Sequence, residues 1–252
     1  MVRGDLPAGG RRKGRWRPVE GPVPAEAQAL QGRVLHRDEM VLVIDKPAGL
    51  PVHAGPKGGA TLDALLPWLA FGKGRPPGLA HRLDRDTSGC LVLGRTKPAL
   101  ARLGELFARG AVTKTYLALV VDVPGLEDGR IDLPLAKRSA QRGWWMEPSE
   151  QGQVAVTDVR VLARQGGVAL VEAQPKTGRT HQIRVHLKAL GAPLLGDTIY
   201  GPAAAGRSRR LMLHARAIEL PWLAGVTIRA TAPLPADFQA ALRHAGLALP
   251  GS

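Results

Sequence analysis

The run His81-Arg82-Leu83-Asp84-Arg85-Asp86-Thr87-Ser88-Gly89 crowds charged side chains and a histidine between two apolar segments, Gly78-Leu79-Ala80 and Leu91-Val92-Leu93. A lone aspartate in such a turn is ordinarily a solvated loop residue. Charges at the end of a core strand, by contrast, tend to be paired or functional. A second run, Thr177-Gly178-Arg179-Thr180-His181-Gln182-Ile183-Arg184-Val185-His186-Leu187, brings Arg184 within one turn of an expected helix start. Helix N-termini attract anions, so an arginine there favours a carboxylate or a phosphate as partner, unless it simply faces solvent.

The elements that must hold these runs can be read from periodicity. Residues 40–44 form a β-type apolar run, broken at Asp45-Lys46-Pro47-Ala48-Gly49. Thr61 caps a short helix through Leu65, Leu66 and Leu69, and residues 72–78 are a loop. Residues 89–96 read as a buried strand. Residues 98–109 read as a helix, with Pro98 in its first turn and Gly110 at its end. Residues 111–121 form a strand with Thr115, Leu117 and Leu119 on one face and Tyr116 and Ala118 on the other. Strands at 154–162 and 168–173 precede a helix that Thr180 opens and Gly191 stops. Strands at 210–218 and 226–231 and a helix after Pro235 complete the chain. Several strands follow one another with no helix between them, which argues for an α+β fold with a mostly antiparallel sheet. Residues 1–30 are rich in Gly, Pro, Arg and Ala and read as a basic flexible arm, leaving 31–250 as one domain.

The two chemical runs resemble the signature motifs of the RluA-type pseudouridine synthase family. His81 to Gly89 is similar to its HRLDxxTSG segment, with Asp84 at the catalytic position. Gly178 to Arg184 resembles GRxHQxR, with Arg184 at the position that pairs with that aspartate. Asp45-Lys46-Pro47-Ala48-Gly49-Leu50-Pro51-Val52-His53 resembles DKPxGLxVH, and Lys114-Thr115-Tyr116 resembles KxY, with Tyr116 at the active-site tyrosine. Gly196-Asp197-Thr198-Ile199-Tyr200-Gly201 and Leu211-Met212-Leu213-His214-Ala215 match later segments, so the resemblance spans about residues 34–240. It departs at Gly94-Arg95-Thr96, where an Ala-Lys pair is more usual. Many members carry an S4-type RNA-binding domain before the catalytic part. Here a short basic arm stands in that place, so the resemblance leaves the target open between ribosomal and transfer RNA.

The resemblance implies a mixed, mostly antiparallel curved sheet flanked by helices, and an isomerase that moves uracil from an N1 to a C5 glycosidic linkage. It implies ribosomal or transfer RNA as substrate, no cofactor or metal, a monomer with no obligate protein partner, and a flipped target base. Asp84 must be ionised to act as nucleophile or base, at the ribose or at the uracil. Arg184 would favour that form and hold it, in a two-pronged pair. Tyr116 offers a stacking face and a hydroxyl near the C5 proton, as wall or as base. Arg82 is expected to contact the RNA backbone or fill the space the base vacates, or else to pair with Asp86 or another acid. His81, Arg179, Lys46 and Lys188 are further RNA-contact candidates, with His81 also read as structural. Residues 137–145 mix basic and aromatic side chains, as an RNA-contacting loop or a plain surface loop does.

Charge agrees with a polyanionic partner: 35 Lys and Arg against 21 Asp and Glu leave a net +14. A basic membrane-surface protein shares that charge, but no long basic amphipathic helix is present. An RNA-binding assembly factor without turnover shares it too, though such a protein has no need of the set Asp84, Tyr116 and Arg184. The single Cys90 sits in an apolar run and reads as a core filler, and no segment approaches about 20 apolar residues, so a cytoplasmic protein is expected. No Walker-type loop or dinucleotide fingerprint occurs, and the seven histidines form no recognisable metal set.

Overall fold

The computed structural model describes residues 21–53, 60–138, 145–201, 210–223 and 225–249. The order of elements is α1 (Ala25–Gln31), β1 (Val34–Arg37), β2 (Val41–Lys46), α2 (Leu62–Leu65) with a 3-10 turn over Leu66–Leu69, β3 (Gly78–Leu79), β4 (Ser88–Gly94), α3 (Lys97–Ala108) and β5 (Thr113–Val121). It continues with β6 (Gly129–Asp132), β7 (Leu135–Lys137), β8 (Met146–Pro148), β9 (Val156–Gln165), β10 (Val168–Pro175), α4 (Gln182–Ala189), β11 (Leu213–Leu223), β12 (Val226–Thr231) and α5 (Ala236–His244). Among the described residues no helix is long and apolar enough to cross a membrane.

The main sheet runs β1-β2-β4-β11-β5-β10-β9-β6, with β12 on β11 and β3 on β4. Every pairing is antiparallel except β4 with β11. The α+β class and the mostly antiparallel sheet expected from the sequence are therefore both present. β4 is buried along its whole length because helices cover both of its faces. Leu91 and Leu93 pack with Ala27, Leu30 and Leu62, while Cys90 and Val92 pack with Ala99 and Leu103. Cys90 is the filler its context suggested, and burial pushes its thiol up to about 12. In the other half, β5 alternates as expected. Ala118 and Val120 meet Ile183 and Leu187 of α4, whereas Leu117 and Leu119 meet Phe238 and Leu242 of α5.

The two halves meet at the short parallel contact of β4 with β11, His214 opposite Ser88 and Ala215 opposite Gly89. Gly89 has φ +109, and a Cβ there would overlap the Ala215 carbonyl. The glycine that closes the chemical run is thus required by strand approach. Ser88 Oγ and the buried His214 Nδ1 stand 2.9 Å apart and pin the same junction.

Three expectations are corrected. Composition predicts an arm over residues 1–30, but 25–31 form α1, with Ala27 and Leu30 buried in the core. Good helix formers in Ala-Glu-Ala-Gln-Ala-Leu-Gln outweigh the Gly/Pro-rich residues before them. Residues 1–20, with the basic run, lie outside the described residues. Thr180 does not open α4: His181 is its N-cap, in the left-handed conformation at φ 54. Short strands β6, β7 and β8 were not anticipated, since three or four residues carry no readable period. Most of the expected loop at 137–145 lies outside the described residues, namely 139–144.

Candidate active site

The residues of the two chemical runs face each other across a cleft of about 850 Å³ where the two halves join. The 81–87 turn supplies Asp84, β5 supplies Lys114 and Tyr116, and the segment from Pro175 to Arg184 closes the other side. Asp84 is the one acidic residue lining the cleft among the described residues. Around it stand Arg82, Arg85, Lys114, Lys137, Lys176 and Arg179, besides Arg184.

Asp84 and Arg184 meet as the motifs implied, with Arg184 Nη1 donating to Asp84 Oδ2 at 3.2 Å. The two-pronged pair, however, is with a different aspartate. Arg184 Nε donates to Asp197 Oδ2 at 2.7 Å and Nη2 to Asp197 Oδ1 at 2.8 Å. Asp197 is buried, and its Oδ1 also accepts from the backbone N–H of Ile199 at 2.9 Å and Tyr200 at 3.0 Å. Burial alone would raise the Asp197 pKa. The Arg184 guanidinium and the two backbone donors outweigh it and hold the carboxyl below its ordinary range. The Tyr200 ring lies 5.1 Å from the Arg184 guanidinium carbon. The arginine is therefore fixed from behind by Asp197 and Tyr200, leaving one N–H edge for Asp84.

Lys46 is corrected from RNA contact to scaffold. It is fully buried, and its ammonium donates to the carbonyls of Pro47 at 2.9 Å, Leu50 at 3.0 Å and Arg85 at 3.0 Å. Three donors on three carbonyls tie the 47–50 turn to the turn carrying Asp84. Gly49 N donates to the same Arg85 carbonyl at 2.9 Å. Burial pushes Lys46 down to about 8, against the pull of Asp86 and Asp84. His81 is built into the cleft wall: its Nε2 accepts from Val92 N at 3.0 Å, and its ring stacks on Phe107 at 4.5 Å. Burial pushes His81 down to about 3, which suits a neutral acceptor.

Arg82 is exposed on the cleft wall, and the expected alternative of a pair with Asp86 does not form, since Arg85 lies 3.7 Å from Asp86 instead. Arg179 also lines the cleft, with Nε on the Val154 carbonyl at 2.9 Å. Lys188 does not line it: its ammonium stands 5.9 Å from the Tyr200 ring centre. Tyr116 lines the cleft and packs against the cores of both halves. Burial, and then the charge of Asp84, raise the pKa of its hydroxyl, so the phenol is neutral at neutral pH.

Sequence reasoning passed over Asp197, Tyr200, His181 and Lys114 as functional residues. All four fall within matched motifs, but their chemistry is set by partners distant in the chain. Lys114 Nζ donates to the Thr177 carbonyl at 2.9 Å and so holds the opposite wall, and burial pushes it down to about 8. Among the described residues, no three His, Cys, Asp or Glu side chains are placed to hold a metal ion.

Comparison with known proteins identifies the family. The family model described as RNA pseudouridylate synthase matches residues 40–189. An uncharacterised RNA pseudouridine synthase of Zymomonas mobilis is 46% identical over 211 residues, covering 83% of this chain and 96% of that protein. The ribosomal large subunit pseudouridine synthase D of Pseudomonas aeruginosa is 39% identical, covering 84% of this chain and 71% of that protein. The solved structure of human RNA pseudouridylate synthase domain containing 4 superposes with a TM-score of 0.77 at 34% identity, over 90% of this chain and 97% of that one. The chain accordingly belongs to the RNA pseudouridylate synthase family, whose enzymes are isomerases.

Proposed function

We propose that the enzyme isomerises a uridine in large-subunit ribosomal RNA, with Asp84 as the reacting carboxylate on a base flipped into the cleft. The observation that carries this reading is that, among the described residues, one carboxylate, held by a buried arginine, lines a cleft whose other charged side chains are cations. A protein that only binds RNA gains nothing from a negative charge facing phosphates. The ribosomal target is favoured by the name of the Pseudomonas relative, and transfer RNA is the second candidate. Arg82, exposed and without a described partner, suits the space vacated by the base. Tyr116, a neutral phenol, suits a stacking wall better than a standing phenolate base. The enzyme is further proposed to act as a monomer in the cytoplasm, without an obligate protein partner.

The test maps pseudouridines in total RNA from cells with and without the gene. One position in large-subunit ribosomal RNA should revert to uridine in its absence. Loss at a transfer RNA position instead would move the target, and an unchanged map would reject the reading.

Charge gives a second expectation. The six cleft cations found beside Arg184 among the described residues, set against phosphates, predict a loss of roughly 10³ in RNA affinity between about 50 and about 200 mM salt. Removing residues 1–20 should weaken binding and flatten that dependence. An unchanged slope in the truncated chain would assign the basic run no part in binding.

A further inference from the structure

Both described side-chain contacts of Asp84 fall on one oxygen. Arg184 Nη1 donates to Oδ2 at 3.2 Å, and His181 Nε2 stands 3.9 Å from the same atom. No contact to Oδ1 is seen among the described residues. We infer that His181, set by the Tyr200 hydroxyl, is a positioning residue that helps hold Asp84 through Oδ2 and so leaves Oδ1 as the oxygen presented to the uridine.

The donor pattern has one consistent direction. An ionised carboxylate only accepts, so the ring nitrogen facing it carries the hydrogen. Nδ1 is then bare and must accept, and the Tyr200 hydroxyl lies 2.9 Å from it. The Tyr200 oxygen in turn accepts from Met146 N at 2.9 Å, which leaves its own hydrogen for the histidine. The chain therefore runs from the Met146 N–H through the Tyr200 O–H to His181 Nδ1, and from His181 Nε2–H toward Asp84. At 3.9 Å the last step is an electrostatic contact, longer than a hydrogen bond. Among the described residues the charged groups acting on His181 are Asp84, Arg184 and Asp197, and burial lowers its pKa against the pull of Asp84.

The backbone supports a fixed ring. His181 is buried and takes φ 54, a left-handed region uncommon outside Gly and taken otherwise mostly by Asn, Asp and His. Such a conformation persists where its surroundings over-determine it. Gln182 does so from the next position. Its Oε1 accepts from Thr177 Oγ1 at 2.7 Å and Arg179 N at 3.0 Å, while its Nε2 donates to Val156 O at 2.9 Å and Thr157 Oγ1 at 3.0 Å. Tyr200 thus serves both grips on Asp84, its ring lying beside Arg184 and its hydroxyl on His181.

The inference rests on Asp84 being the reacting carboxylate, and the test separates the two. His181→Asn tolerates the left-handed backbone and is too short to reach Asp84. His181→Gln restores an N–H at greater reach. The probe is a transcript of large-subunit ribosomal RNA carrying tritium at uracil C5. His181→Asn should lose roughly tenfold in kcat with KM and Tm close to wild type, and His181→Gln should recover part of that loss. Asp84→Asn, run beside them, should be inactive, and turnover there would reject the underlying reading instead. Nitrogen NMR of the histidine rings in the free protein needs no substrate. It should show His181 protonated at Nε2 in the wild type and a shifted Nδ1 signal in Tyr200→Phe. An unchanged kcat in His181→Asn, or a wild-type ring protonated at Nδ1, overturns the inference.

Discussion

Asp84→Ala should abolish turnover, by at least about 10⁴-fold in kcat, while RNA binding holds or tightens. On the proposed reading the catalytic loss follows from removing the reacting carboxylate, whether it attacks carbon or takes a proton. The binding gain follows from charge: Asp84 is the one acidic residue lining a cleft of cations among the described residues. Losing it removes a repulsion toward phosphate at short range. The fold should be little affected. Asp84 is partly exposed and holds Arg184 through one N–H, while the arginine keeps its fork on Asp197. The stability change should therefore stay within about 1 kcal/mol. Asp84→Asn is the closer control, because it keeps the shape and an acceptor for Arg184. Release of tritium from uracil C5 measures turnover, and filter binding at fixed salt measures affinity. Turnover near the wild-type level in either variant would end the case for Asp84 as the reacting group.

What the sequence made legible was what depends on neighbours. The apolar run after Gly89 is a strand buried on both faces, the Thr61 side chain caps α2 at Ala64 N, and Tyr116 and Leu117 fall on opposite faces of β5. The motifs placed Asp84 and Arg184 together although they are far apart in sequence. What was not legible depends on partners that only the fold supplies. Lys46 has the composition of a phosphate contact, yet it is buried and spent on three carbonyls. His81 was legible as structural, but the bond that makes it so, its acceptor nitrogen on Val92 N at the β4 edge, was not. The fork of Arg184 goes to Asp197 because that segment returns beneath α4, a connection no local pattern encodes. Gly196, just before that aspartate, has φ 72 and lies against the Arg210 carbonyl, which fixes where Asp197 sits.

That pairing makes Asp197 the residue whose loss should most damage stability and catalysis together. Its side chain is fully buried, and Arg184 is nearly so. Asp197→Ala leaves a buried guanidinium with only the partly exposed Asp84 to face, and two backbone N–H groups lose their acceptor. Removing one partner of a buried ion pair costs about 3–5 kcal/mol. Asp197→Asn keeps an acceptor for Ile199 and Tyr200 but loses the charge and sets an amide N–H against the arginine, so it should fall between alanine and wild type. Activity should drop in both, because Arg184 is freed to turn and no longer holds Asp84 in one place. The pH dependence follows from sign. Asp197 has a folded pKa below its unfolded value near about 3.9, so its contribution is full above that value and is lost as pH falls through the folded one. Wild-type stability should therefore decline in acid partly through Asp197, and Asp197→Asn should show a shallower decline below about pH 4. Urea unfolding of wild type and both variants across that range measures it. A destabilisation under about 1 kcal/mol in Asp197→Ala, with an unchanged acid slope in Asp197→Asn, would show that Arg184 is held by Tyr200 and Asp84 alone.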